Sequence, residues 1–395
     1  MKAMQNRERG SAGQHQGAAM KKGWQTKTLG DICEMYQPKT ISGKDMIEDG
    51  KYLVYGANGV IGRYNEFNHE DPQLLITCRG ATCGSVNVSA PRSWVTGNAM
   101  VVRPKYESLE MRYLEYLFRG GIDISKAITG AAQPQITRTN LEPLEISFPE
   151  SLVEQQRIVG LLDEAFEGLA TAKANAEKNL QNARALFESH LQSVFTQRGP
   201  GWVEKSLGEV CVVKDGTHDS PKYVTDGIPF VTQKNIREDG LSFDRIKLIS
   251  QEDHDDFYRR SNAAHGDILI SMIGANRGMA CIVDDERTFS IKNVGLVKQN
   301  PSINQEFLLY FLKSPQAAGF VKGVSKGGAQ EFVGLTELRR FPVPLPPLER
   351  QNAFAEIFQS LREETQRLFR LYERKIVALE ALKKSLLHQA FSGEL

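Results

Sequence analysis

The sequence predicts an α+β chain in which two similar globular units are separated by an antiparallel pair of long helices, a coiled coil. Three features carry that expectation. The chain repeats itself, its short apolar runs sit between Gly, Pro and Asn punctuation, and its C-terminal segment holds a heptad seam.

The duplication comes first. W-Q-T-K-T-L-G-D-I-C from Trp24 recurs as W-V-E-K-S-L-G-E-V-C from Trp202. L-L-I-T-C-R-G-A-T-C-G (74–84) recurs as I-L-I-S-M-I-G-A-N-R-G (268–278), and Asn98 before A-M-V-V as Asn293 before V-G-L-V. Y-L-E-Y-L-F (113–118) matches F-L-L-Y-F-L (307–312), and G-A-A-Q (130–133) matches G-G-A-Q (327–330). F-P-E-S-L-V-E-Q-Q (148–156) is echoed by P-L-P-P-L-E-R-Q-N (344–352), and S-H-L-Q-S-V-F (189–195) by S-L-L-H-Q-A-F (385–391). Seven pairs in one order exclude chance and imply two copies of a globular unit followed by a long helix.

Within the copies, Gln73–Thr77, Val86–Val88 and Ala99–Val102 are expected strands, repeated at Asp267–Ser271, Met279–Val283 and Val294–Val297. Helices are expected near Leu109–Arg119 and Gln305–Lys313. The loops between matched strands diverge, and Y-G-A-N-G-V-I-G-R-Y-N in the first copy has no clear sequence counterpart. A shared scaffold with unlike loops suits one job done on two targets.

The seam runs through Phe354, Phe358, Leu361, Thr365, Leu368, Tyr372, Lys375, Leu379, Leu382 and Leu386. Its counterparts, 196 residues earlier, are Ile158, Leu162, Ala165, Leu169, Ala172, Ala176, Asn179, Ala183, Leu186 and His190. A seam of small residues fills space against one of large residues, so the two helices are expected to pair, with the units at opposite ends. The expected division is a disordered tail over 1–22, a first unit over 23–150 and a first helix over 151–197. A second unit over 198–347 and a second helix over 348–395 follow.

Composition narrows the function classes. Mean hydropathy is −0.37, and no apolar run approaches the ~18 residues of a membrane span. The polar tail contains nothing like a signal peptide, and Met20 would serve as a start. Five cysteines without a C-x-x-C pair argue against disulfides or structural zinc and suit a reducing cytoplasm. Net charge is +1 overall, −2 over 24–150 and 0 over 198–347, so neither unit is a basic module that binds duplex by phosphate charge alone.

No catalytic constellation emerges. There is no phosphate loop and no G-x-G-x-x-G after a strand; the glycines of G-A-N-G-V-I-G (56–62) are expected in a turn. Neither a D-P-P-Y-like nor an N-P-P-Y-like loop is present, so an amino-methyltransferase is excluded. P-L-P-P-L (344–348) is expected as a polyproline lead-in to a helix, and H-D-D (254–256) as a solvated helix face rather than a metal site.

The order of unit, helix, unit, helix resembles the specificity subunit of type I restriction–modification systems. The strings W-x-x-x-x-L-G-D/E, Y-G-A-N-G-V-I-G-R-Y-N, L-L-I-T-C-R-G-A-T-C-G and L-P-P-L-E-R-Q are similar to that family over residues 22–395. So are D-G-T-H-D-S-P-K-Y (215–223) and G-I-P-F-V-T-Q-K-N-I (227–236). F-P-E-S-L-V-E-Q-Q departs slightly from the usual L-P-P-L-x-E-Q. The resemblance implies two target-recognition domains, each reading half of a bipartite site in double-stranded DNA. It implies helices that set the spacer and dock two methyltransferase subunits, with restriction/translocase subunits completing the complex. S-adenosylmethionine, ATP and Mg²⁺ would belong to those partners, and this chain would bind none of them.

Base reading needs forked donors and amides. The candidates in the first unit are Lys39, Lys44, Tyr55, Asn58, Arg63, Tyr64, Arg79, Thr82 and Arg138. Those in the second are Thr217, His218, Lys222, Gln233, Lys234, Asn235, Asn276, Arg277, Lys292 and Asn293. The rival readings are a stand-alone two-headed DNA-binding regulator and a scaffold that binds no DNA.

Overall fold

The computed structural model describes residues 22–56, 58–130, 132–325 and 331–395. The tail over 1–21, Ala131 of the first G-A-A-Q copy and the second copy at 327–330 lie outside the described residues. The chain forms two compact units: one holds residues up to Asn175 plus Lys375–Leu395, the other Ala176–Arg374.

The first unit opens with β1 (Trp24–Thr28), the single-turn helix α1 (Leu29–Ile32) and β2 (Cys33–Tyr36). The hairpin β3 (Tyr52–Gly56) and β4 (Gly59–Tyr64) follows, then β5 (Leu74–Thr77), β6 (Val86–Val88), β7 (Trp94–Val95) and β8 (Ala99–Pro104). Helix α2 (Met111–Tyr116), a wider turn over Leu117–Gly121, α3 (Arg138–Leu141) and β9 (Glu145–Pro149) lead into α4 (Leu152–Thr196). The main sheet is antiparallel in the order β2-β8-β5-β6. A second sheet has the order β4-β3-β7, with β3 and β7 parallel, and β1 pairs with β9.

The second unit repeats this. Its elements are β10 (Val203–Ser206), α5 (Leu207–Val210), β11 (Val213–Asp215) and β12 (Ile228–Val231). The hairpin β13 (Ile236–Arg237) and β14 (Gly240–Leu241) comes next, then β15 (Lys247–Ile249), α6 (Gln251–Ser261), β16 (Ile268–Ser271) and β17 (Ala280–Ile282). They are followed by β18 (Ser290–Ile291), β19 (Val294–Val297), α7 (Gln305–Leu312), α8 (Pro315–Val324), α9 (Leu335–Arg339), β20 (Pro342–Leu345) and α10 (Leu348–Ser392). The main sheet β11-β19-β16-β17 and the second sheet β15-β12-β18, again with one parallel pair, reproduce the first unit strand for strand. Y-G-A-N-G-V-I-G-R-Y-N therefore has a counterpart after all: β3 and β4 answer to β12 and β15. Sequence comparison misses it because a tight turn in one copy is replaced in the other by a connection containing β13 and β14.

The duplicated strings are structural devices. K-T-L-G-D and K-S-L-G-E are capping boxes: the Thr28 hydroxyl accepts from the Asp31 N–H while the Asp31 carboxylate accepts from the Thr28 N–H, and Ser206 and Glu209 repeat this. The glutamine of each E-Q-Q or E-R-Q string is a buried clamp. Gln155 Nε2 donates to the carbonyls of Ser108 (3.0 Å) and Pro149 (2.9 Å), and its Oε1 accepts from the Glu110 N–H (2.8 Å). Gln351 does the same with Pro346 O (2.9 Å) and Asn304 N (3.0 Å). Each ties the start of a long helix to the N-cap of the short helix beside it. Gln155→Leu or Gln351→Leu strands a buried N–H and is expected to cost about 1–3 kcal/mol each in chemical denaturation. A loss below a few tenths would show that the clamp is idle.

Both long helices complete both cores. The first unit's core takes Ile158 and Leu162 from α4, and Leu387 and Ala390 from α10. The second takes Leu191 and Phe195 from α4, and Ala355 and Phe358 from α10. After α2 the chain passes so close to α10 that a Cβ on Gly121 would fall 2.4 Å from the Phe391 ring, which makes glycine necessary there. The helices run antiparallel within each unit: Lys173 pairs with Glu380 (2.8 Å) and Lys383 lies over Phe166 in the first, and Arg184 lies over Phe369 in the second.

The seam itself needs correction. Ile158, Leu162, Ala176 and Ala183 are buried, whereas Asn179 and Leu186 are exposed and Leu180 and Phe187 turn inward in their place. Lys375 and Leu382 are likewise exposed, with Ile376 and Leu387 on the packed side. An α-helix at 3.6 residues per turn drifts from a 3.5 repeat by about 20° per heptad, and the contact line moves on by one residue over this length. P-L-P-P-L is also corrected in part. Its first residues belong to β20, an edge strand that tolerates proline, and only Pro346–Pro347 lead into α10.

Candidate nucleic-acid interface

In an antiparallel sheet, the C-terminal ends of alternate strands share an edge with the N-terminal ends of their neighbours. The loops after β2 and β5 and those before β6 and β8 therefore meet at one edge of the first unit. The β3–β4 turn joins them, because β3 runs parallel to β7 and the Thr96 N–H donates to Tyr55 O (2.9 Å). Lys39, Asn58, Arg79, Thr82 and Asn98, from four separate loops, lie at this edge, and all five are exposed. Gln37 holds two of the loops together by donating to Gly97 O (3.1 Å).

The same edge of the second unit gathers His218, Gln233, Lys234, Asn276, Lys292 and Asn293, and here the side chains of His218, Lys292 and Asn293 are bonded to neighbours. Asp215, its side chain 8% exposed, accepts from Arg260 through Nη2 (2.7 Å) and Nε (3.1 Å), and its other oxygen is 3.3 Å from His218 Nε2. His218 Nδ1 is 2.6 Å from Asn293 Oδ1, and Lys292 Nζ donates to Ser220 Oγ (2.6 Å). Asn293 has a left-handed backbone (φ +53°), which asparagine tolerates, while Asn98 is not among the residues with positive φ. The two copies of that asparagine are thus not used alike.

Four sequence candidates are corrected, because the fold consumes them. Tyr55 is buried and its hydroxyl accepts from the Ala90 N–H (3.0 Å). Thr217 is buried and donates to Asp219 (2.9 Å). Asn235 is buried and holds Thr232 and Ser242 O. Arg277 is mostly covered, bound to Ser325 Oγ (2.8 Å) and Glu331. A chain pattern marks such residues as polar loop positions; only packing shows that their hydrogen bonds are already made.

Five more make no side-chain hydrogen bond to the cluster among the described residues. Arg63 and Tyr64 are at the far end of β4, where Arg63 donates to Gly50 O (3.0 Å) and Tyr64 packs on Trp94. Lys44 sits in a short turn capped by Ser42, Arg138 is paired with Glu142 (2.6 Å), and Lys222 is exposed on the loop before β12. Sequence reasoning missed Asp215, Ser220 and Arg260. The first two stand inside the D-G-T-H-D-S string, but nothing in the sequence links Arg260 to them across 45 residues.

Two buried histidines stand behind these surfaces. His69 Nε2 lies 2.8 Å from the Tyr36 hydroxyl and Nδ1 2.6 Å from Asn68 Oδ1, and burial, then the Arg103 charge, lower its pKa. His254 is buried against Ser290 Oγ (2.8 Å), and burial lowers its pKa too, which corrects the solvated H-D-D reading at that residue. In the fold both take up protons only below the ordinary histidine value of 6.5, whereas in the unfolded chain they do so near it. Unfolding therefore binds protons as pH falls through that value, and stability is expected to decline until the folded histidines titrate as well. Melting between pH 7.5 and 5.5 checks this, and His69→Gln should reduce the decline. An unchanged decline in that variant and in His254→Gln would refute the assignment.

Among the described residues, no group of three His, Cys, Asp or Glu side chains could hold a metal ion, and no helix is long and apolar enough to cross a membrane. All five cysteines are free thiols, and burial pushes Cys33 and Cys281 up to about 12 and Cys211 up to about 11.

Comparison with known proteins agrees with this arrangement. The family model described as the type I restriction modification DNA specificity domain matches twice, over residues 21–180 and 200–373. The chain is 21% identical over 94% of its length, and 93% of the relative's, to the type I restriction enzyme MjaVIII specificity subunit of Methanocaldococcus jannaschii. It is 26% identical to the EcoBI specificity subunit of Escherichia coli, over 44% of this chain and 36% of that one. Among solved structures, it is similar to a chain from a study of complex assembly and conformational transition in a type I R-M system. There the TM-score is 0.76 at 19% identity, covering 96% of this chain and 100% of that one. The HsdS subunit from Thermoanaerobacter tengcongensis superposes with a TM-score of 0.63 at 19% identity, over 96% and 99%. At that identity the structural likeness establishes the fold.

Proposed function

The chain belongs to the type I restriction–modification DNA specificity family, and on that premise we propose that it chooses the DNA site of such a complex without catalysing a reaction. Each unit reads one half of a bipartite site through its loop edge, and the long helices set the unread spacer and dock two methyltransferase subunits. The observation that carries this is the duplicated edge: one scaffold built twice, presenting different donors each time. Lys39, Asn58, Arg79 and Thr82 stand in one copy where His218, Gln233, Lys234, Asn276 and Lys292 stand in the other.

Physical chemistry supports the division of labour. Lysine and arginine donate to guanine O6 and N7, and asparagine and glutamine reach both donor and acceptor on adenine, so such edges suit base reading. Neither unit carries the net positive charge that holds duplex by phosphate contact. The affinity must then be shared with partners, which favours a subunit over a stand-alone regulator. S-adenosylmethionine would act on the methyltransferase subunits, and ATP and Mg²⁺ on restriction/translocase subunits, all in the cytoplasm.

The test is to express the methyltransferase subunits with and without this chain and map methylated adenines across the DNA. A two-part motif should be methylated only when the chain is present, and the purified chain should transfer no methyl group by itself. Transfer by the chain alone, or a motif unchanged in its absence, overturns the proposal.

A further inference from the structure

The β3–β4 turn of the first unit carries an apolar tip that the corresponding strand end of the second unit lacks. Val60 and Ile61, 52% and 49% exposed, stand next to each other at the tip of the β3–β4 hairpin. Strand pairing shows why both face out. Val54 pairs with Gly62 and Tyr55 with Val60, which leaves Ile61 as the extra residue of a β-bulge. The bulge turns the Ile61 side chain over Gly56, where a Cβ would fall 2.8 Å from Ile61 Cγ2, so glycine at 56 makes room for it. Two β-branched side chains are thus fixed by backbone geometry just after the donor Asn58, and Thr96 ties the hairpin to the loop that carries Asn98. At the corresponding strand end of the second unit, the chain leaves β12 through Thr232, Gln233 and Lys234, which are polar.

In the major groove, the only hydrocarbon group that a base edge presents is the 5-methyl of thymine, and apolar side chains distinguish bases by contact with it. We infer that Val60 and Ile61 read a thymine methyl group, so that the half-site of the first unit contains a thymine recognised by its methyl. The inference rests on the DNA-reading function proposed above. The occupant is chosen by continuity, since the apolar tip and the donors form one edge, and a duplex that meets the donors meets the tip.

The test uses the chain assembled with its methyltransferase subunits and duplexes carrying the mapped motif. Each thymine is replaced in turn by deoxyuridine, which pairs identically but lacks the methyl. One replacement in the first unit's half-site should weaken binding about fourfold, the factor that one methyl's worth of buried apolar surface supplies. The variant Val60→Ala/Ile61→Ala should bind thymine and deoxyuridine duplexes equally, and Val60→Thr, which keeps a methyl, should retain part of the preference. Three results overturn the inference: a first half-site without thymine, a deoxyuridine penalty that persists unchanged in the double variant, or a double variant that fails to assemble with the methyltransferase subunits, which would place the tip on a protein partner. Failure of the wild-type assembly to bind any mapped motif would instead refute the underlying function, and the two failures are distinguishable.

Discussion

Replacing residues 23–150 with the first unit of another family member is expected to change one half of the methylated motif and leave the other half as it was. The reason is structural independence of the reading edges. The first unit's edge is built from β2, β5, β6, β8 and the β3–β4 turn, and among the described residues none of those elements pairs with a strand of the second unit. Each mismatched base pair in a protein–DNA site typically costs about 1–3 kcal/mol. A half-site altered at three positions would therefore lose the native sequence by roughly a hundredfold or more. The exchange has one condition. The first core is completed by Ile158, Leu162, Leu387 and Ala390, and Gly120 and Gly121 receive Leu387 and Phe391. The incoming unit must supply matching small residues, or the hybrid will fail through instability rather than specificity. Adenine methylation mapping reads the outcome, and a change in both half-sites would show that the units read jointly.

The largest loss of stability is expected from Phe195→Ala. Phe195 is fully buried, with ring centroids 5.1 Å from Phe311, 5.4 Å from Phe307 and 5.7 Å from Phe358. Truncating such a ring removes its burial and leaves a cavity, at a cost of about 3–5 kcal/mol. That is a large share of the 5–15 kcal/mol typical of a domain. Its counterpart Phe391 is only partly buried, against Tyr113 at 5.2 Å, so Phe391→Ala should cost less. Denaturant unfolding compares the two, with hydrogen exchange showing that Phe195→Ala acts on the second unit. Equal losses would mean that the helix ends do not anchor the cores as described.

Much of the architecture was legible in the chain because duplication doubles each signal. The strands at Val86–Val88 and Val294–Val297 appear where expected, and helix α7 ends one residue before Lys313. The second sheet of each unit was not legible. Its strands β3 and β4 carry glycines, β7 is only Trp94–Val95, and β12 and β15 are separated by an insertion with its own hairpin. The long helices were legible in extent but not in facing, since a heptad count cannot register the slow rotation that exposes Leu186 and buries Phe187 more deeply.

By itself the sequence determined that there are two copies of one scaffold, that each is tied to long helices of matched phase, and that no phosphate loop or methyltransferase motif is present. Those properties follow from residue order and periodicity, which the chain carries locally. Tertiary structure decided which polar loop residues remain available. Tyr55, Thr217, Asn235 and Arg277 read as recognition residues in the chain and are bound inside the fold, whereas Val60 and Ile61, expected in a glycine turn, are exposed strand residues. Availability depends on what a side chain meets from distant parts of the chain. Arg260 reaching Asp215, and a bulge that turns Ile61 outward over Gly56, are events of packing and backbone pairing that no local pattern specifies.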